Sequence, residues 1–456
     1  MKRVLLSMMS LAFSILMLSM TVPNMAGSVG IVWLTNPTPL PDINGGHGSV
    51  LYNNRIYIIG GHVGPYLVVN AVHFAEMLED GSIASWTPTT PLPEPRSYIR
   101  YGVVIWNNYL YVVGGHDGIS GERNTVFYTE INSDGSLKGW VTTTSLPWNR
   151  RDHFAVVWNG RIYVGGGTDG YGWNDNVAYA EINPDGSLGS WSSTTSLPLA
   201  YGAMSAIVYN GRIYLIGGTS TWGGPGLSHS EVYYASVNAD GTIGSWTATT
   251  PLPDRRELLG VALMDDAIFV TGGMKTPEIT FHDEAYKAEI NPDGTVGSWQ
   301  ELQNLPEPRE FHTSFAYKGR VYVIGGVYYE YKDTIYYSVS ATTQATIDID
   351  PNTLNLKSNG QWITVYISPP EGYSAEDIKI ATVGLRCNGF ILTADWGEIQ
   401  GSVLMVKFDR TALINYLHET DLGEGAKSFE LTLTITGDLL DWTPFEGSDT
   451  ITVLKK

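Results

Sequence analysis

Residues 159–167 read Asn-Gly-Arg-Ile-Tyr-Val-Gly-Gly-Gly, which combines a tight turn with a β-branched and aromatic run ending in glycines. Asn-Gly favours a type I′ hairpin, because both central residues of that turn need positive φ. The run after it is typical of a strand. A similar run ending in Gly-Gly occurs at residues 56–61, 110–115, 213–218, 268–273 and 321–326. The pattern therefore predicts one strand hairpin that is repeated six times.

The glycine pairs return at spacings of 54, 52, 51, 55 and 53 residues. A second marker follows the same period, since a tryptophan stands at Trp33, Trp86, Trp140, Trp191, Trp246 and Trp299. Two independent markers with one period indicate a true internal repeat, and repeats of this length build solenoids, propellers or arrays.

Each repeat is predicted to contain four strands, a to d. In the third repeat, strand a covers residues 153–158, strand b follows the Asn-Gly turn, and strand c covers residues 176–182. The turn Asn-Pro-Asp-Gly at residues 183–186 then leads to strand d, which contains Trp191. Proline presets φ at the first turn position, and glycine tolerates the left-handed conformation.

The repeat resembles the kelch family over about residues 30–341. Its best match is the sixth repeat, with Pro308-Arg309, His312 and Gly325-Gly326. Kelch repeats build propellers of four-stranded blades, so the resemblance implies an all-β, six-bladed kelch-type propeller over residues 29–342. The repeats depart from the pattern at the His position, with Tyr101 in blade 2 and Met204 in blade 4, and at Lys287 in strand c of blade 5.

The two chain ends predict how the propeller closes. Trp33 precedes the first glycine pair, whereas strand c of the sixth repeat, residues 335–339, has no tryptophan strand after it. The N-terminal segment should therefore supply strand d of blade 6. This arrangement leaves no exposed sheet edge at the seam.

The N-terminal residues 1–28 read as a secretory signal, because Lys2 and Arg3 precede an apolar run and small residues end the segment. The alternative is an uncleaved membrane anchor. Cys387 is the sole cysteine, so no intrachain disulfide can form. We expect a secreted or cell-surface protein without stable membrane insertion after cleavage. The formal net charge of −19 argues against nucleic acid as a partner.

Residues 343–456 are predicted to form a small β-sandwich, because alternating apolar stretches of strand length recur there. A short helix is expected at residues 411–417. The segment resembles modules appended to bacterial and archaeal surface proteins. Four acidic residues, Asp348, Asp350, Glu376 and Asp377, hint at calcium, but solvated turn carboxylates are the favoured interpretation.

The predicted binding face is formed by the d–a and b–c loops, which differ from blade to blade, whereas the opposite turns are short and uniform. Variable loops on a rigid scaffold commonly carry recognition. Arginine and aromatic side chains there suit a glycan or a protein anchor. The candidate ligand-binding residues are Arg96, Trp148, Arg150, Arg151, Trp173, Trp222, Arg256 and Arg309. The competing interpretation is that these arginines pair within their own blades.

The sequence therefore predicts a binding protein for an extracellular protein or glycan, with no catalytic residue and no cofactor. A copper radical oxidase needs a cysteine cross-linked to tyrosine, and Cys387 lies outside the propeller. The remaining enzyme alternative is a sugar-modifying protein similar to N-acetylneuraminate epimerase. Glu257 or Glu310 would then act as base beside Arg256 or Arg309.

The histidines fall into two groups. His47, His153 and His312 share one repeat position and are expected to be structural. His62 and His116 follow the glycine pairs of adjacent blades. Together with Asp117 they would form a minimal metal site, and we expect no metal there.

Overall fold

The computed structural model describes residues 30–42, 44–64, 67–78, 80–220, 227–340, 342–387, 390–420, 426–440 and 443–455. The predicted signal segment lies outside these ranges. Within them the chain is mostly strand, so the all-β prediction is confirmed. None of the helices in the described ranges is long and apolar enough to cross a membrane.

Six four-stranded antiparallel sheets, blades 1 to 6, occupy the propeller region of the described residues. Strands a to d are Gly48–Tyr52, Arg55–Ile59, Val72–Glu76 and Thr87–Pro88 in blade 1, and Val103–Trp106, Tyr109–Val113, Val126–Glu130 and Val141–Thr143 in blade 2. In blade 3 they are Phe154–Trp158, Arg161–Gly165, Val177–Glu181 and Ser192–Ser193. In blade 4 they are Ser205–Tyr209, Arg212–Ile216, Val232–Ser236 and Thr247–Thr249.

Blade 5 consists of Gly260–Met264, Ala267–Thr271, Ala285–Glu289 and Gln300–Glu301. Blade 6 takes its first three strands from Thr313–Tyr317, Arg320–Ile324 and Ile335–Ser340, and its strand d is Ile31–Thr35. Three b–c loops carry small hairpins, which pair His62–Val63 with Leu67–Val68, Met274–Lys275 with Thr280–Phe281, and Val327–Tyr328 with Glu330–Tyr331.

The N-terminal strand completes blade 6, as predicted from the sequence at the two chain ends. Ile31–Thr35 pairs antiparallel with Ile335–Ser340, and Trp33 lies opposite Ser338. The Trp33 indole is buried and donates from Nε1 to the carbonyl of Gln303 in blade 5, at 2.7 Å. The N-terminal strand therefore joins blade 6 to its neighbour as well as completing its sheet.

Strand a of each blade contacts strand a of the next, and the strands a of blades 6 and 1 also touch. A tyrosine in strand b donates from its hydroxyl to a glycine carbonyl in the c–d turn of the following blade, at 2.7–3.0 Å; these residues are Tyr57, Tyr111, Tyr163, Tyr214 and Tyr322. Blade 5 has Phe269 at this position. A phenylalanine at this position is consistent with the seam. Blade 6 receives its strand d from the N-terminus, so it has no c–d turn whose carbonyl could accept a hydrogen bond from a tyrosine in blade 5.

The C-terminal region contains two sheets around one buried apolar core. One sheet orders Thr343–Gln344, Pro444–Leu454, Ser428–Asp438, Gly384–Cys387 and Phe390–Thr393, with Thr353–Asn355 also beside Pro444–Leu454. The other orders Thr346–Asp350, Trp362–Ser368, Val403–Asp409 and Trp396–Gln400. The core of this region shares no residue with the six core clusters of the blades.

The predicted helix is present and slightly longer, at Arg410–Glu419, where the side chain of Asp409 accepts a hydrogen bond from the Thr411 amide. One of the alternating apolar stretches on which the sandwich prediction rests, residues 378–385, is strand only from Gly384 onward. Instead, 3₁₀ turns form at Ala375–Asp377 and Ile380–Thr382 before Gly384–Cys387. Asp377 accepts from the amide and hydroxyl of Ser374, which stabilises a turn in place of an extended chain.

Candidate functional site

The d–a loops of the six blades converge through one repeated left-handed residue. These residues are Gly46, Tyr98, Asp152, Ala203, Leu258 and Phe311, with φ between 52° and 67°. Five of the six donate their backbone amide to the equivalent carbonyl of the preceding blade, and Ile99 donates in place of Tyr98. The resulting ring of backbone hydrogen bonds positions the neighbouring side chains around the mouth of the central channel.

Four of the predicted binding arginines do not reach this mouth. Arg96, Arg150, Arg256 and Arg309 are at most 1% exposed, so they cannot contact a ligand without unfolding the blade. Arg309 donates to the carbonyls of Gly325 and Thr334 and to the Glu307 carboxylate, and its guanidinium stacks on Tyr336. The ligand-binding prediction for these four residues is therefore wrong, and the competing interpretation of pairing within the blade holds.

The other predicted binding residues occupy different environments. Arg151, one residue after a buried arginine, lies at the mouth, where its Nε is 3.2 Å from Glu122 and its guanidinium is over the Tyr98 ring. Trp148 is partly buried and stacks on Arg150. Trp173 is partly exposed and packs its ring on Gly202 of blade 4. Trp222 lies outside the described residues.

Blade 2 contains a two-residue insertion that changes the centre of the propeller. The first glycine of the pair follows the loop arginine by 16 residues in blades 3, 5 and 6, but by 18 in blade 2. The structure places Ile99, not Tyr101, at the position that His47 and His153 occupy in their blades. The extra residues are Arg100 and Tyr101, which form a turn closed by the Gly102 amide and the Ile99 carbonyl.

The inserted side chains cross the central channel. The Tyr101 hydroxyl donates to the Leu259 carbonyl of blade 5 at 2.9 Å and accepts from the Val261 amide at 3.1 Å. Arg100 is 4% exposed and lies between the rings of Tyr101 and Phe311. Both residues line a cavity of about 360 Å³ between the strands a of all six blades. They therefore form a floor that separates this cavity from the loop face.

The charge of Arg100 acts on three carboxyl groups near this floor: Asp152, Glu257 and Glu310. The two glutamates are 5% and 8% exposed. Glu257 accepts a hydrogen bond from the Thr276 hydroxyl at 3.0 Å. By contrast, Oδ1 of Asp152 and Oε2 of Glu310 are buried without a hydrogen-bond partner among the described residues, as is Nε of Arg100. We call Arg100, Asp152, Glu257 and Glu310 the central recess.

Burial governs the protonation of the recess. It raises the pKa of Glu310 to about 8, since Arg100 offsets only part of the cost of ionising this carboxyl beside Glu257 and Asp152. Burial also raises the pKa of Glu257 and that of Asp152. A site with several acids of raised pKa is a candidate for ligand binding or proton transfer.

Aromatic and imidazole rings form the wall above the recess. Tyr98 lies edge-on to His62, His116 and Phe311, with ring centroids 4.9–5.9 Å apart. Burial lowers the pKa of His62 to about 4, so this imidazole is neutral at physiological pH. Asp117 is held by three amides of its own loop and by Arg123. Among the residues that the structure describes, no group of three or more His, Cys, Asp or Glu is placed to hold a metal ion.

The outer edge of the loop face is apolar. Among the residues that the structure describes, each of the six b–c loops exposes one large apolar side chain, with 41–92% of its surface accessible. We call these residues the apolar crown: Leu67, Ile119, Tyr171, Leu227, Ile279 and Tyr329. Tyr329 of the crown also contacts Phe281 of the blade 5 loop and Tyr328 of its own loop, at centroid distances of 5.7 and 4.6 Å.

Residues 46–273, half of the chain, match the family model of the KLHDC2/KLHL20/DRC7 Kelch-repeats domain. The chain belongs to the kelch-repeat family. Kelch-like protein 35 of Mus musculus is 26% identical over 239 residues, which cover 52% of this chain and 36% of that protein. Kelch-like protein terF of Aspergillus terreus is 27% identical over 198 residues, which cover 41% of each protein. The match spans less than half the length of both relatives.

The solved structure of YjhT is similar in fold, with a TM-score of 0.54 and 17% identity. The similarity covers 72% of this chain and 99% of that one. Together with the family match, it confirms the kelch-type propeller fold predicted from the repeats.

The kelch pattern explains why sequence reasoning selected the wrong arginines. One repeat position carries a buried arginine that stabilises its own blade; the arginines at this position are Arg96, Arg150, Arg256 and Arg309. Arg100 breaks the repeat, and the glycine spacing in blade 2 was the signal that could have identified it. The sequence places Glu257 and Glu310 directly after Arg256 and Arg309, but those arginines are buried in the blades. Arg100 is the guanidinium that shares the recess with both acids.

Proposed function

We propose that this kelch protein is an extracytoplasmic binding module that holds a protein partner on its loop face. The observation that carries the proposal is the apolar crown, one exposed residue from each b–c loop. Exposed aromatic side chains such as Tyr171 and Tyr329 are of the type that anchors protein interfaces. Six loops on one rigid scaffold can present that surface with little ordering cost on binding.

The extracytoplasmic location rests on the sequence of residues 1–28, which reads as a secretory signal. The C-terminal two-sheet region would attach the propeller to the cell surface or hold it at a distance from it. This role is suggested by the resemblance of the region to modules of surface proteins. The loop face would then be the part of the molecule that meets the partner.

Site-specific photo-crosslinking tests the proposal. A photoreactive amino acid placed at Tyr171 or Tyr329 should capture one protein from the native cell surface. The same group at Asn159, in an a–b turn on the opposite face, should not. Reproducible capture at Asn159 and none at the crown would place the interface elsewhere.

Mutation of the crown should then weaken the captured complex. The double substitution Ile119→Ser and Tyr329→Ser should cost about 1–2 kcal/mol of binding free energy per residue, as for buried interface anchors. The matched control is Val141→Ser, an exposed apolar residue on strand d of blade 2. If a glycan array captures the protein and no protein partner does, the ligand class is wrong although the face is right.

A further inference from the structure

The central recess holds more buried carboxyl groups than its own guanidinium can pair. The charge of Arg100 acts on all three carboxyl groups, Asp152, Glu257 and Glu310, and Arg151 acts on Asp152 as well. Arg151, also at the mouth, has its Nε 3.2 Å from Glu122 and 3.9 Å from Asp152. Buried carboxylates are normally paired or hydrogen-bonded, because leaving them unpaired in a low-dielectric site is costly.

The side chain of Glu310 is the clearest sign that a ligand completes this arrangement. It is 8% exposed, and its Oε2 atom has no hydrogen-bond partner in the described structure. Rings surround the same space, since Tyr98 packs edge-on to Phe311, and His62 lies against both Tyr98 and Tyr331. Aromatic faces beside carboxylates are a favourable environment for an organic cation.

We propose that the central recess binds a basic side chain, the ammonium of lysine or the guanidinium of arginine, presented by the protein partner. Glu257 and Glu310 accept hydrogen bonds from the cationic group, and the Tyr98 and Phe311 rings surround its stem. Arg100 balances one carboxylate and fixes the floor. This inference rests on the proposed function, because it identifies the chemistry of the residue that the crown surrounds.

The net charge of the whole chain favours such a partner. A formal charge of −19 attracts a basic protein at long range and speeds its association at low salt. An acidic ligand would meet the same field as a repulsion and would bring another negative charge to three carboxyl groups.

Short peptides test the recess independently of the partner. Binding of Ac-Gly-Arg-Gly-NH2, Ac-Gly-Lys-Gly-NH2 and Ac-Gly-Glu-Gly-NH2 to the full chain is measured by titration calorimetry, with free N-acetylneuraminate as a fourth probe. At least one basic peptide should bind saturably and at least tenfold more tightly than the acidic peptide. Glu257→Gln and Glu310→Gln should each weaken that binding at least tenfold. Glu278→Gln, on the blade 5 loop beside Arg255, is the matched control.

The pH dependence supplies a second measurement on the unmodified protein. A cation favours the ionised form of Glu310, whose surroundings are Arg100, Asp152, Glu257, Tyr98 and Tyr331. Binding should therefore release a proton and strengthen as the pH rises from about 6.5 to about 8.5. An anionic ligand would show the opposite dependence. The slope should disappear in Glu310→Gln.

The outcomes separate this inference from the proposed function. Tighter binding of the acidic peptide or of N-acetylneuraminate, or basic-peptide binding that both glutamine variants retain, would overturn the cation site. Absence of saturable binding of both basic peptides would overturn it as well. The crown variant Ile119→Ser/Tyr329→Ser should keep peptide binding while losing the partner. If the peptides bind and crosslinking finds no partner, only the proposed function fails.

Discussion

Replacing Trp33 with alanine should destabilise the propeller more than any other single change in the N-terminal strand. Trp33 is 7% exposed and packs in one cluster with residues of two blades, among them Phe269 and Leu302 of blade 5 and Tyr336 of blade 6. Its Nε1 also donates to the Gln303 carbonyl at 2.7 Å. The substitution therefore removes packing and a hydrogen bond at the place where the two chain ends meet.

The expected cost follows from these contacts. Truncation of a buried aromatic side chain to alanine costs about 3–5 kcal/mol, which includes the cavity it leaves. The unsatisfied Gln303 carbonyl adds about 1 kcal/mol unless water reaches it. For a cooperative unit of roughly 300 residues, 4 kcal/mol lowers the melting temperature by about 6 °C, because the unfolding entropy scales with chain length.

Differential scanning calorimetry measures this shift, and hydrogen exchange locates it. Amides of Ile335–Ser340, which pair with the N-terminal strand, should exchange faster in the variant. Leu34→Ala is the matched control, since Leu34 is the next residue on the same strand and is 40% exposed. If Trp33→Ala destabilises the protein no more than Leu34→Ala, the seam does not contribute stability as argued.

Three further outcomes are expected. Glu310→Gln should raise the melting temperature near pH 8 and change it little near pH 4. The pKa of Glu310 is raised to about 8 in the folded protein, so this carboxyl makes the protein less stable as the pH rises from the unfolded-state pKa toward about 8. A difference in melting temperature between variant and wild type that does not depend on pH would contradict this. Arg309→Met should lower the free energy of unfolding by on the order of 3 kcal/mol, because the Gly325 and Thr334 carbonyls lose their hydrogen-bond donor. Chemical denaturation measures this change, and a loss below about 1 kcal/mol would show that the buried arginine is dispensable. Removal of residues 343–456 should leave a folded propeller with its own calorimetric transition, because the C-terminal core shares no residue with the blade cores; aggregation of the shortened chain would show that the regions depend on each other.

Strand positions and the closing strand were predictable because they depend on local patterns. The Asn-Gly turn of blade 3 has positive φ at both Asn159 and Gly160, as the type I′ prediction required. The place of Trp33 before the first glycine pair was sufficient to predict its strand in blade 6. The seam also explains why blade 5 has Phe269 where the other blades have a tyrosine, but the tyrosine hydrogen bonds in the structure were needed to recognise this.

The candidate site was less predictable, because neighbouring residues of one loop face different surroundings. Arg150 is buried in its blade, whereas Arg151, the next residue, lies at the mouth. The left-handed Asp152 that follows turns the backbone toward the next blade. The repeat separates the two, since Arg150 occupies the recurring arginine position and Arg151 does not, but only the structure shows which of these positions faces the mouth.

The sequence by itself determined the repeat, the strands within it, the turns and the strand that closes blade 6. These features arise from residue types with fixed backbone preferences that recur at regular spacing along the chain. Only the tertiary structure decided that Arg100, Asp152, Glu257 and Glu310 share one recess, because they come from four different blades. Their proximity depends on the ring of backbone hydrogen bonds and on the insertion in blade 2, and the loss of solvent at the propeller axis shifts the pKa values of its acids.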